Sequence, residues 1–529
     1  MKKNILSILV IMTMFGGISQ NITESIIWEN IYSNRSEKQN NPSIIGSTDD
    51  EIILFSNNGK KKVIQKIRKK TFEITASLEL DLKFKKNKLT YVDLLFVGDK
   101  PIVITSFYNR KKNMMVLFYH HVDFNELKLM EPVILHKYDY NLLLGTASNQ
   151  FAKMNRKELL YYSMKNSKIV QLVSSPNKKY SFLNFVSSSS VFNGLKGVSY
   201  VGKLFDSEFK ELSSFEFKMP YKKYTIRDVK VSNEGVAYML VDKLTFTETP
   251  KDQMCSNVLF SNSCVLFIDL KSGEYDVKEL DLSEKHFSQV KLKTLTNGGV
   301  MISGLLNVKG DKGASNFCSI TFDENWMEVA TSKNLIPESF ITSLWPDKKR
   351  EKFDKKNENN IKKGLNKTPV SLKKCYINSI FELDNGSVTV LVEKYETEFE
   401  LDIYKSLNEE NKMHGNPAVS NNLNYESNIF AFNYSSKGKL LWVKNYGVED
   451  VNGSYFAFKN NGNIEIMYNE KNVTNKIQLN VDGDVRKENF VNKPKGLELK
   501  VKKCKILSEN EVLLFGLSGW SYKIGMIKL

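Results

Sequence analysis

Short apolar runs alternate with polar turns along almost the whole chain. In GSVTVLVEK (386–394), Val388, Val390 and Val392 fall on one side and Thr389, Leu391 and Glu393 on the other. GNIEIMYNEKN (462–472) repeats this with Ile464, Ile466 and Tyr468. GVAYMLVDK (235–243) does so with Val236, Tyr238 and Leu240, but Met239 and Val241 make its other side apolar too. NEVLLFGL (510–517) and KIVQLV (168–173) are shorter apolar runs. A period of two predicts strands, whose successive side chains point to opposite faces. Between them stand tight-turn sequences: Asn57-Asn58-Gly59, Lys271-Ser272-Gly273, Asn297-Gly298-Gly299, Asp384-Asn385-Gly386, Lys437-Gly438, Asn461-Gly462 and Asp482-Gly483. Asn-Gly and Asp-Gly tolerate the positive backbone dihedrals that hairpins require.

A larger unit recurs: an apolar strand, a polar turn that often opens on Asp or Asn, then an amphipathic strand. It occurs at 203–217, 265–282, 319–329 and 430–443. Four-stranded units repeating every 40 to 50 residues or so are the pattern of propeller blades. The chain of 529 residues exceeds one ordinary compact domain, as a large repeat architecture would. It predicts an all-β fold, a single large β-propeller of about seven or eight blades. Tandem β-sandwich domains are the alternative that the same strands could build. The blades divide into a first part, 20–332, and a last part, 371–529. The N-terminal strand IIWENIYS (26–33) is placed to close the ring against the last strand, around IGMIKL.

Residues 333–370 break the pattern. They lack strand alternation, Pro346 interrupts them, and Asp347 to Lys363 is helix-permissive. This basic helical or mobile insertion offers an anion-contact surface of Lys348, Lys349, Arg350, Lys352, Lys355, Lys356, Lys362 and Lys363. A solvated charged helix is the plainer reading of the same run. A second polar stretch, 406–428, reads as a long loop.

Charge and address change the picture next. The formal charge is +16, and the chain is crowded with Lys, Asn and Ile. Residues 1–19 have the form of a cleavable export signal: Lys2 and Lys3, an apolar run from Ile5 to Phe15, then small Gly17 and Ser19 at the cut. No later apolar stretch is long enough to span a bilayer. An exported chain, periplasmic or extracellular, leaves nucleic acid out as the partner of the basic balance. A monomer is expected.

Export permits disulfides. Of five cysteines, Cys255 and Cys264 bracket a short segment and form the candidate pair. The absence of CxxC and the five scattered histidines leave no zinc pattern, and no metal or cofactor is expected. His120 and His121 are adjacent on a strand and point apart. Walker, GxGxxG, HExxH and GxSxG patterns are missing. Spacing cannot single out a carboxylate pair among 60 acids, so a glycosidase stays open.

AFNYSSKGKLLW (431–442) partly resembles the tryptophan docking motif of quinoprotein-like propellers, through Ala431, Gly438, Lys439 and Trp442. Asn433 replaces the Asp, one extra residue precedes Gly438, and the match occurs once. It supports a propeller hairpin, with Trp442 in the core, and no quinone. More widely, the chain resembles uncharacterised exported bacterial β-propeller-like proteins. The resemblance lies in the signal, FDSEFKELSSFEF, GVAYMLV, GSVTVLVEKYETEFE, the lysine-rich insertion, GNIEIMYNEKN and GWSYKIGMIKL. It implies a fold and an exported location, with no catalytic residues. The function expected is that of a non-enzymatic binding or scaffold protein of the cell envelope, meeting an envelope protein or glycan. A carbohydrate-active enzyme with carboxylates in the propeller funnel is the alternative.

Overall fold

A computed structural model describes residues 28–32, 42–57, 61–84, 87–98, 100–109, 111–112, 114–126, 128–139, 170–186, 199–221, 224–246, 258–283, 285–308, 313–345, 347–368, 370–395, 427–446, 455–470, 473–489, 496–508, 511–518 and 521–528. Residues 1–19, read above as an export signal, the expected Asn58-Gly59 turn, Cys255 and the 406–426 stretch lie outside the described residues.

Eight antiparallel sheets follow one another along the chain, six of them pairing four strands in sequence order, with a two-stranded pair, Lys83–Phe84 with Asn87–Lys88, between the first two. Blades 1 to 7 cover residues 43–79, 90–139, 170–218, 224–280, 285–335, 375–445 and 456–489. Blade 8 is composite. Residues 498–528 supply its inner strands, and Trp28–Tyr32 adds the outermost one, pairing Trp28 with Gly525 and Glu29 with Ile524. The N-terminal strand thus closes the ring at the position expected from IIWENIYS. The first strands of successive blades touch: blade 1 with 2, 3 with 4, 4 with 5, 5 with 6, and blade 8 with 1. The fold is an eight-bladed β-propeller.

The core lies in the seams between blades. The second strand of blade 4, Val236–Phe246, shows why. Tyr238 and Leu240 pack toward blade 5 against Phe287, Ile302 and Phe322. Met239 and Val241 point the other way, among Phe182, Tyr200 and Phe217 of blade 3. A central strand that faces a neighbour on both sides reads as a nearly continuous apolar run. That accounts for Met239 and Val241 blurring the alternation.

The recurring unit seen in the sequence is the hairpin joining the third and fourth strands of a blade. Its first polar residue caps the turn. The side-chain oxygen of Asp206 accepts from the Glu208 and Lys210 amides, Asp323 from Asn325 and Met327, and Asn480 from Asp482 and Asp484. These are side-chain-capped turns of the kind Asp and Asn favour. The turn then meets the preceding blade. A Cβ on Gly483 would lie 2.9 Å from the Trp442 ring, and one on Gly273 would lie 2.7 Å from Phe215. Both glycines also carry positive φ, so both conformation and space exclude a side chain. Trp442 donates to the Val481 carbonyl at 3.0 Å. It therefore ties blade 6 to blade 7, half-buried in the seam between them.

Candidate functional site

Two basic regions stand out. One is the insertion between blades 5 and 6. It holds helix α1, Glu338–Ser343, and helix α2, Asp347–Lys362. Ile336, Ile341, Leu344 and Leu372 bury the insertion against Ala314, Phe317 and Phe430. The carbonyls at the end of α1 are taken up by side chains. Asn428 and Lys394 donate to Leu344 O (2.8 and 3.4 Å), Asn445 to Ser343 O (3.3 Å), and Arg350 to Thr342 O and Trp345 O (both 3.3 Å). Blade 6 therefore clamps α1, and α1 clamps α2. These donors satisfy end carbonyls that a helix cannot bond internally.

α2 sorts its side chains into three stripes of heptad spacing. Arg350, Phe353, Asn357 and Asn360 form the anchoring stripe, half-buried except for the buried Asn357. Phe353 meets the Trp345 ring edge-on at 5.1 Å, and Asn357 accepts the Thr368 amide at 2.9 Å. Asp347, Glu351, Asp354 and Glu358 form an acidic flank. The remaining exposed side, which also holds Asn359 and Ile361, is mostly basic: Lys348, Lys349, Lys352, Lys355, Lys356 and Lys362, with Lys363 just beyond, all exposed, the Lys349 ammonium standing over the Trp345 ring at 5.0 Å. Seven of the eight residues expected at an anion-contact surface thus share one outward face. Arg350 stands apart, on the anchoring stripe, holding α1.

The second region is the inner ring, which sequence reasoning missed. In six blades the innermost strand carries a register shift, at Ile45, Val92, Arg227, Ser288, Asn378 and Leu507. A bulge frees backbone groups from the ladder. Three times a cation from the preceding blade reaches the next blade's bulge. Arg227 donates to Phe287 O and Ser288 O at 3.2 and 3.1 Å, Lys291 to Asn378 O at 2.7 Å, and Lys505 to Ile45 O at 2.5 Å. Arg227 also pairs with buried Asp242, which accepts from Ser263. Carboxylates bond across the same seams. Asp228 accepts the Leu292 amide of blade 5, and Glu382 of blade 6 accepts from Thr296 of blade 5 through both N and Oγ1.

Burial shapes the chemistry of this ring. It pushes the amines of Lys291, Lys293 and Lys505 down. Lys503 falls to about 8, through burial and then the charge of Lys500, although the Pro42 carbonyl accepts from it at 2.8 Å. Burial raises the carboxyl of Asp242 against the pull of Arg227. On the inner strand of blade 2, Asp93 is open to solvent yet crowded by surrounding protein, which pushes its carboxyl up.

Cys264 is buried, and in its reduced form burial, above all, pushes the thiol up to about 12. Its expected partner, Cys255, lies outside the described residues. His120 is buried between the Thr105 hydroxyl (2.9 Å) and the Met130 carbonyl (3.1 Å), and burial holds it below the usual histidine value. His121 takes the other face, beside Tyr119 and Phe209. Among the described residues no group of three or more His, Cys, Asp and Glu is placed to hold a metal ion. Among them, too, no helix is long and apolar enough to cross a membrane.

The chain's own topology defines it as an eight-bladed propeller. No family model matches it, and no curated protein does. Among solved structures it is similar to the Dos1 propeller, at 11% identity and a TM-score of 0.41, covering 95% of this chain and 93% of that one. The WD40 domain of SCAP from fission yeast matches at 9% identity and 0.38, covering 96% and 98%. The polysaccharide lyase Uly1 matches at 9% and 0.38, covering 85% and 94%. These neighbours include enzymes and non-enzymes, and likenesses so distant carry no argument about function.

Proposed function

We propose that this chain is an exported, non-enzymatic binding or scaffold protein of the cell envelope, working as a monomer outside the cytoplasm. The observation that carries the reading is the outward face of α2. A helix clamped to a closed ring presents six lysines to solvent, with Lys363 just past its end, and keeps its acids to one flank. Such a face is a rigid electrostatic contact surface. The signal-like residues 1–19 supply the export, and the Cys255–Cys264 pair belongs to the same reading as an oxidised bridge.

Cell fractionation, with mass spectrometry of the mature N-terminus, tests the address. Cleavage after Ser19 and recovery outside the cytoplasm are expected; an intact Met1 on a cytoplasmic protein would contradict it. A second reading is a carbohydrate-active enzyme working from the funnel, with Asp93 on the inner strand of blade 2 as the position to test. Glycan cleavage that vanishes in Asp93→Asn would establish it over the first.

A further inference from the structure

The geometry points to a more specific partner for α2: a linear polyanionic glycan, bearing uronate or phosphodiester groups, laid along the helix axis. This rests on the binding-protein reading above. Three features carry it.

The first is alignment. Lys348, Lys352, Lys355 and Lys362 recur at steps of four, three and seven residues, and Lys349, Lys356 and Lys363 run beside them at steps of seven. In a helix these steps bring side chains onto one face, about one turn apart for steps of three and four and about two turns for steps of seven, along a helix roughly 24 Å long. The result is a double file of cations suited to a linear chain that carries repeated anions.

The second is the border. Asp347, Glu351, Asp354 and Glu358 run beside the lysines along the first turns of the helix, up to Glu358. They confine the positive potential to a strip. A strand can follow that strip, whereas a broad anionic plane would meet the acids as well.

The third is what the strip lacks. A helix that lies in a membrane surface places large apolar side chains opposite its charged face, pointing into the lipid. Here the side opposite the lysines is the anchoring stripe, turned to the protein through Phe353 and Asn357. The exposed apolar residues Ile361 and Leu365 lie off the lysine files. The clamp on α1 sets the helix in place before any partner arrives, which lowers the ordering cost of binding.

The test titrates the full mature chain with polygalacturonate, poly(glycerol phosphate), neutral dextran and phosphatidylglycerol vesicles. The expected result is binding to at least one polyanion, with none to dextran. The polyanion bound identifies the anionic group. Affinity should fall steeply between about 50 and 200 mM salt, and Lys352→Gln/Lys355→Gln/Lys356→Gln should lose roughly tenfold or more. The melting temperature of that variant should match the parent's, which separates lost contacts from lost folding. Binding to vesicles alone would overturn the proposal in favour of a membrane contact. Undiminished affinity in the variant, or no polyanion binding at low salt, would overturn it too. A chain found in the cytoplasm would sink the envelope reading while leaving the measured polyanion affinity intact.

Discussion

The lysines of the inner ring and those of α2 come from the same abundance of basic residues but live in opposite environments. Lys291 and Lys505 are half-buried, bonded to backbone carbonyls of the next blade, and pushed below their usual amine values by burial. Lys348, Lys352 and Lys355 stand in water on a helix whose contacts with the ring are made by other residues. The first group belongs to the architecture: desolvated charges are tolerated because each closes a gap opened by a bulge. The second group has no comparable task in the ring. A formal charge of +16 is therefore not one property but two, and only the solvated part is free to meet a partner.

The comparison can be broken at several strengths. Opening the ring itself should have the largest effect. Deleting residues 20–35 removes the strand paired with Ser521–Lys528, and a fall in melting temperature of about 10 °C or more is expected. An unchanged melting curve would refute closure by that strand. Next comes Arg227→Met, which strands buried Asp242 and leaves two bulge carbonyls without their cation. Breaking a buried pair in this way costs about 3–5 kcal/mol. Denaturant unfolding would measure it, and a loss below about 1 kcal/mol would make the pair ornamental. Lys505→Met removes one donor to Ile45 O. The expected cost is smaller, about 1–3 kcal/mol.

The pH dependence sharpens the contrast. Lys503 has a folded value of about 8 against an ordinary 10.5. Below pH 8 both folded and unfolded chains carry its proton, and the fold bears the full penalty of a buried charge. Between 8 and 10.5 the folded chain sheds the proton first, so this amine makes stability rise with pH. Wild type should gain on Lys503→Met across that window. A parallel pair of stability curves would show that Lys503 is not desolvated. The smallest effect belongs to α2. Lys352→Gln/Lys355→Gln/Lys356→Gln should shift the melting temperature by less than about 2 °C, because exposed substitutions rarely cost much.

Much of the ring was legible beforehand. The hairpins at 203–217, 265–282, 319–329 and 430–443 are blade edges because a capped turn leaves a local signature, a side-chain acceptor followed by a residue of positive φ. Val388–Tyr395 and Asn463–Glu470 alternated clearly enough to be read as strands. The closing pair of Trp28–Tyr32 with the last strand was readable, whereas the count of eight was open because blade boundaries depend on pairing between strands rather than on local pattern. On α2, the helix and its lysines were readable, since both depend on local spacing. Arg350 was not separable from its neighbours, because its task is set by the carbonyls at the end of α1. The inner bulges and their cations left no signal at all. A carbonyl exposed in one blade and an amine supplied by the previous one are related only through the seam between them.

The division of the lysines is tested most directly by the affinity of two charge-matched variants for the polyanion that the parent chain binds, polygalacturonate or poly(glycerol phosphate). One is Lys352→Gln/Lys355→Gln/Lys356→Gln on α2, and the other is Lys291→Gln/Lys293→Gln/Lys505→Gln in the ring. Each removes the same formal charge. The account predicts that the helix variant loses affinity while the ring variant, measured below its lowered melting temperature, retains it. Equal loss in both would mean that net charge alone governs binding and that the two populations of lysine are one.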